Sequence, residues 1–124
     1  MQASDPEFVE LVSSELSPKQ KLVELHFKMM KLMISNYSYS KAITKYILFN
    51  RDSDVGMESL PFIAEHYSGR KTYNECRLIA FELTGMHELA VLNYEKIKDC
   101  CDIDLTDDEV LKNYISRNVN RFLN

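Results

Sequence analysis

Three histidines are among the residues of this chain whose side chains could serve as metal ligands or as general acid–base groups. They stand at positions 26, 66 and 87. None is separated from another histidine, or from a cysteine, by the short spacing of a zinc site. His26 lies in a strongly apolar segment, so we interpret it as a partly buried residue whose hydrogen bonds are satisfied. The sequence therefore predicts no metal site.

Other catalytic patterns are also missing from the sequence. Gly56, Gly69 and Gly85 stand alone, whereas a phosphate-binding loop needs several glycines close together. Serine, histidine and aspartate all occur, but no segment resembles a nucleophile turn. The acidic run at residues 99–104 lacks the glycine and the terminal glutamate of a calcium loop. We therefore expect a non-enzymatic domain with no catalytic residue and no cofactor.

The cysteines and the apolar runs indicate the cellular compartment that we expect for this chain. Cys76, Cys100 and Cys101 are odd in number, and the adjacent pair is poorly placed for a disulfide, so reduced thiols are expected. No apolar run approaches the roughly 20 residues of a membrane span, and residues 1–15 are acidic, unlike a signal peptide. We expect a cytoplasmic protein, with the nucleus as the alternative, and no membrane partner.

Charge is distributed unevenly along the chain. A basic segment, residues 17–51, has seven basic residues and one acidic residue, for a net charge of +6. An acidic segment, residues 86–109, has eight acidic and two basic residues, for a net charge of −6. The candidate partner-binding residues all belong to the basic segment: Lys28, Lys31, Lys41, Lys45 and Arg51.

These charges allow three interpretations. Each run could simply be the solvated face of a helix. The basic segment could instead dock on an acidic surface, either of another protein or of the acidic segment in a second copy. It could also contact nucleic-acid phosphates, although a net charge of −4 for the whole chain argues against that choice.

The elements that position these residues are predicted to be helices. A length of 124 residues, 45% of them hydrophobic, with only three glycines and three prolines, is typical of one helical domain. Three capping boxes mark helix starts at Ser17, Thr72 and Thr106, and Asp5 with Pro6 marks another. The pattern predicts an all-α protein, a compact antiparallel bundle of six or seven helices.

Seven helical segments follow from the apolar periodicity. The second, residues 17–36, is apolar on most of its circumference and should be central. The third, about residues 38–49, should bury its apolar side chains: Ala42, Ile43, Tyr46, Ile47 and Phe49. The fifth should run from Thr72 to a stop at Gly85 and pack Leu78 and Phe81 in the core. The sixth should run from residue 86 to about 100 and pack Leu89 there. The last segment, 106–124, could complete the domain or lead into a following one.

Residues 76–97 contain the sequence CRLIAFELTGMHELAVL, an apolar helix, a Thr-Gly turn and a Leu-Ala pair that opens the next helix. This corner resembles the fifth and sixth helices of caspase-recruitment (CARD) domains of the death fold. It is most similar to those at the front of RIG-I-like and Dicer-related RNA helicases. The family's first helix corresponds to either the first or the second helix here, and in the latter case the seventh completes the bundle.

The resemblance implies a regulatory or recruiting function. It implies a non-catalytic protein-interaction module, the N-terminal part of a larger RNA helicase that acts in RNA silencing or antiviral RNA sensing. The ATPase and RNA-binding machinery would then lie elsewhere in that longer protein. The alternative, which rests on charge alone, is a small helical nucleic-acid-binding domain that uses the basic segment.

Overall fold

The computed structural model describes residues 5–50 and 55–124 and, for residues 44–50, the helical backbone alone. Within these ranges the chain forms seven α-helices and no strand, so the predicted all-α class is confirmed. The helices are α1 (Pro6–Ser13), α2 (Pro18–Ser35), α3 (Tyr37–Asn50), α4 (Leu60–Tyr67), α5 (Tyr73–Leu92), α6 (Tyr94–Cys101) and α7 (Asp108–Phe122). In this part of the chain, no helix combines the length and the apolar character that crossing a membrane requires.

Helix α2 occupies the centre of the bundle, as its sequence predicts. It contacts α1, α3, α4, α5 and α7. Leu22, Leu25 and Met30 are fully or almost fully buried in these contacts. A helix that is apolar around most of its circumference needs neighbours on most sides, and α2 has them.

Local capping signals predict three of the helix starts correctly. Asp5 caps α1 by accepting the backbone N–H of Glu7 at 2.8 Å. Both predicted capping boxes at α2 and α5 are present, with Ser17 and Thr72 each accepting the N–H three residues later at 3.2 Å. These bonds satisfy backbone donors that a helix start leaves open.

The predicted cap of α7 is wrong by one residue. The backbone N–H and the hydroxyl of Thr106 both donate to Asp104 Oδ1, at 3.0 and 2.6 Å. Asp107 caps the helix instead, because its Oδ1 accepts the N–H groups of Glu109 and Val110 at 3.0 and 3.2 Å. The hydroxyl of Thr106 is thus engaged in the preceding turn.

The predicted helix end at Gly85 is also wrong. Helix α5 continues through this residue to Leu92, and the predicted sixth helix is divided between the end of α5 and α6. A glycine inside a helix costs only about 1 kcal/mol relative to alanine. Burial on both sides of Gly85, at helical spacing, favours one continuous helix: Ala80, Leu83, His87, Ala90 and Val91 are buried. The helix ends where the Asn93 side chain donates to the Leu89 carbonyl at 2.9 Å.

Helix α3 lies alongside α5 and runs in the opposite direction. At its start, the Tyr37 hydroxyl donates to the carbonyl of Leu92 at 2.8 Å. Beyond its end, Arg77 donates to the carbonyl of Val55 at 2.7 Å. Gly56 has a φ of +83°, and a Cβ there would collide with the carbonyl of Ala80, so only glycine allows this approach.

The predicted inward face of α3 needs correction. Ala42 and Ile43 are exposed, although the sequence pattern predicts them in the core, and Ser40 is buried in their place. The other apolar side chains predicted for this face, Tyr46, Ile47 and Phe49, lie outside the described side chains.

Candidate interaction surface and buried histidine pair

The five predicted partner-binding residues, four lysines and one arginine, lie in different environments. Lys28 pairs with Glu7 at 3.4 Å and Lys31 pairs with Asp108 at 2.9 Å. Lys41 is exposed, with its ammonium 5.9 Å from the centre of the Tyr37 ring. The Lys45 side chain and Arg51 lie outside the described residues. Binding of a partner by these five residues stays a prediction.

The pair between Lys31 and Asp108 connects the basic segment to the acidic segment within one chain. Part of the charge complementarity that the sequence suggested between two copies is thus used inside a single copy. Both side chains are about half exposed, at 52% and 57%, so the pair contributes at most about 1 kcal/mol and can be broken by a competing partner.

The outer face of α5 carries an exposed apolar stripe. Leu78, Phe81 and Leu89 are 57%, 51% and 56% exposed, and Gly85 lies between them on the same face. We call Leu78, Phe81, Gly85 and Leu89 the outer stripe. The sequence predicted these large side chains to be packed, because apolar residues occur on all sides of this segment. Periodicity alone therefore did not identify the exposed face.

The inner face of α5 contains a histidine pair that the sequence did not reveal. Nδ1 of His26, on α2, lies 2.7 Å from Nδ1 of His87, on α5, and both side chains are fully buried. The two residues are 61 positions apart, so no spacing rule could have joined them. His66 lies elsewhere, where its Nε2 donates to the backbone carbonyl of Asn124 at 2.9 Å.

Two further side chains complete this histidine cluster. Nε2 of His26 lies 2.8 Å from the hydroxyl of Ser59, in the turn before α4. Nε2 of His87 lies 3.2 Å from the amide nitrogen of Asn118 on α7. The histidine cluster, defined as His26, Ser59, His87 and Asn118, thus connects α2, α5, α7 and the start of α4 through side-chain hydrogen bonds.

The hydrogen bonds of the cluster determine where its protons lie. The amide nitrogen of Asn118 donates, so Nε2 of His87 accepts and neutral His87 carries its proton on Nδ1. This proton is donated to Nδ1 of His26, which must therefore carry its own proton on Nε2 and donate it to Ser59. Neither imidazole keeps an open acceptor, so an added proton has no place in the cluster.

Burial holds both imidazoles neutral. Loss of hydration lowers the pKa of His87 to about 4. The pKa of His26 lies well below its ordinary value, mainly because of burial and additionally because a charge on His87 would repel its own. A buried neutral pair that is fully hydrogen-bonded positions helices and has no exposed nitrogen to offer a substrate.

Two further observations concern metal ligands and grooves in the described part of the chain. Among the described residues, no group of three or more His, Cys, Asp or Glu side chains is arranged to hold a metal ion. A shallow groove of about 430 Å³ lies between α4 and the start of α5, with a mostly apolar lining: Leu60, Pro61, Ala64, Gly69, Lys71, Tyr73 and Cys76. The side chains in this lining that can exchange protons are Lys71, Tyr73 and Cys76, and the lining has no carboxylate or imidazole.

Comparison of the chain with models of protein families, with curated proteins and with solved structures found no match.

Proposed function

We propose that this domain is a non-catalytic protein-interaction module that binds its partner through the outer stripe of α5. The observation that supports the proposal most is the exposure of Leu78, Phe81 and Leu89, each by more than half, on one helix face. These residues extend over about 16 Å of helix. Large apolar side chains that are exposed on one helix face favour a protein-binding site.

The proposal concerns binding and leaves the wider biological role as a prediction. The resemblance to CARD domains of RNA helicases implied a role in RNA silencing or antiviral RNA sensing. That resemblance depends on a helix corner at Thr84 and Gly85, where α5 is continuous. The interaction function rests instead on the exposed side chains of α5, which do not depend on the family.

The nucleic-acid alternative receives less support from the geometry. Two of its five candidate residues, Lys28 and Lys31, already contact carboxylates of Glu7 and Asp108. Binding to phosphates would have to break these pairs before it gained from counterion release. The apolar outer stripe would also have no role in such an interaction.

A retention experiment with three immobilised proteins tests the proposal. We expect wild type to retain a specific protein, either a cellular protein or an added labelled copy of this chain, and the Phe81→Glu variant to lose it by at least about tenfold, since a charge would be buried in the interface. Leu32→Glu is the matched control, because Leu32 is 63% exposed on α2, away from the outer stripe. Identical retention by all three proteins would contradict the proposal.

A second arm addresses nucleic acid directly. Fluorescence anisotropy with single-stranded and double-stranded RNA should give weak binding or none at physiological salt. A sub-micromolar dissociation constant that is weakened by Lys→Glu changes at positions 28, 31 and 45 would overturn the proposal in favour of a nucleic-acid-binding domain.

A further inference from the structure

Nothing in the described part of the chain itself requires a glycine at position 85. It occupies the middle of a 20-residue helix, where glycine is less favourable than alanine. A Cβ added at this position would meet no atom within 4 Å, and its φ is not in the left-handed region. Neither a turn nor a close neighbour in this structure requires glycine here. A glycine on an exposed helix face does, however, allow another backbone to approach closely.

The outer stripe is arranged symmetrically about this glycine. Phe81 lies four residues before Gly85 and Leu89 lies four residues after it, and both are more than half exposed. If two copies of α5 crossed at Gly85 in opposite directions, Phe81 of each would lie beside Leu89 of the other. A two-fold contact requires this self-complementary placement, in which each of two positions contacts the other.

Charge favours the antiparallel direction over the parallel one. The N-terminal half of α5 carries the exposed acids Glu75 and Glu82 beside the outer stripe. The C-terminal end lies near both Lys41 and the exposed Glu95, because the Tyr37 ring has the Lys41 ammonium at 5.9 Å and packs on Tyr94, and Tyr37 donates to Leu92. The charges of Lys41 and Glu95 balance. An antiparallel crossing brings Glu82 of one helix over this balanced end of the other, whereas a parallel crossing at Gly85 would bring Glu82 of one copy against Glu82 of the other.

We propose that the occupant of the outer stripe is a second copy of this chain, and that the two α5 helices cross antiparallel at Gly85 in a two-fold dimer. This inference rests on the proposed function, since it identifies the partner of the same surface. It also assigns Gly85 a role, as the point where the two helix backbones come closest.

Sedimentation equilibrium of the purified protein tests the dimer. Wild type should show a concentration-dependent monomer–dimer equilibrium, and Phe81→Glu should weaken it by at least about tenfold in dissociation constant. The control Leu32→Glu should leave the equilibrium unchanged. Wild type that remains monomeric at about 1 mM, where even a weak dimer is populated, would overturn the inference.

The Gly85→Ala variant distinguishes an effect on dimerisation from an effect on the stability of the folded monomer. Alanine favours the helix, so the variant should melt about 2–5 °C higher than wild type when both are monomeric. Its added methyl group should push the crossing helices apart and weaken the dimer by at least about tenfold. Opposite signs in the two measurements support the crossing at Gly85, and a dimer strengthened or unchanged by alanine would contradict it.

Disulfide trapping tests the direction of the helices. In a background with Cys100→Ser and Cys101→Ser, Glu82→Cys and Leu89→Cys proteins are mixed in equal amounts and oxidised. The antiparallel crossing predicts that the mixed disulfide forms faster than either homodimeric one, because positions 82 and 89 of different copies lie close together. Faster homodimeric disulfides would contradict the antiparallel arrangement.

The two proposals can fail separately. If wild type is monomeric at high concentration but Phe81→Glu loses retained cellular proteins, the dimer fails and the interaction function stands. If the protein retains no specific partner and also remains monomeric, both fail.

Discussion

The two faces of α5 depart from the usual distribution on a helix, because polar residues are buried among apolar ones on the inner face and large apolar residues are exposed on the outer face. On the inner face, Thr84 and Glu88 are each only 6% exposed, and His87 is fully buried. On the outer face, Leu78 and Phe81 are more than half exposed. Burial on this helix therefore does not follow the hydrophobicity of each residue, and among the described residues the buried hydroxyl of Thr84 has no hydrogen-bond partner. His87 has hydrogen-bond partners on other helices of the same chain, whereas we propose that the outer stripe binds another molecule.

The largest expected effect comes from truncating the same residue type on each face. Leu83, on the inner face, is fully buried, so Leu83→Ala should lower the free energy of unfolding by about 2–5 kcal/mol through lost contacts and the cavity left behind. Leu78→Ala, on the outer face, should change it by less than about 0.5 kcal/mol. Chemical denaturation of the monomeric proteins measures both values, and similar losses for the two variants would remove the contrast between the faces.

Acid provides a second test of the inner face. The folded-state pKa of His87 is lowered to about 4 and that of His26 also lies below its ordinary value, so the unfolded chain binds protons first as the pH falls below about 6.5. Stability present at neutral pH should therefore be lost on acidification from about pH 6.5 towards pH 4. The expected slope is about 1.4 kcal/mol per pH unit for each histidine.

Denaturant titrations at several pH values between 6.5 and 4.5 measure this slope. The double variant His26→Leu/His87→Leu serves as the control, because it should remove most of the dependence in that interval. A wild-type stability that stays flat over the same interval would mean that the imidazoles accept protons without disrupting the histidine cluster.

The smallest expected effect concerns the N-terminus of α5, where both faces begin. Thr72→Ala removes one half of a capping box and should cost about 0.5–2 kcal/mol. Thr106→Ala should cost less, because the cap of α7 is Asp107, and Asp107→Ala should show the larger loss there. Unfolding midpoints of the three variants decide the order, and a Thr106→Ala loss equal to that of Asp107→Ala would contradict the assignment of the cap.

The sequence predicted the parts of the fold that depend on neighbours along the chain. The caps at Ser17 and Thr72 are hydrogen bonds between residues three positions apart, so the residue types alone identify them. The all-α class and the central place of α2 follow from composition and periodicity, which are also local properties. The cap of α7 was missed by one residue because Asp104 competes for Thr106.

The tertiary structure decided between alternatives that the sequence left equally possible. Gly85 could end a helix or lie inside one, and packing on both sides of it decided for continuity because buried contacts outweigh the small cost of glycine. Which side of α5 faces the core was decided by α2 and α7, which bring His26 and Asn118 to His87. Such contacts join residues that are 31 and 61 positions apart. Their energies depend on how whole helices pack, and no pattern within a single helix contains that information.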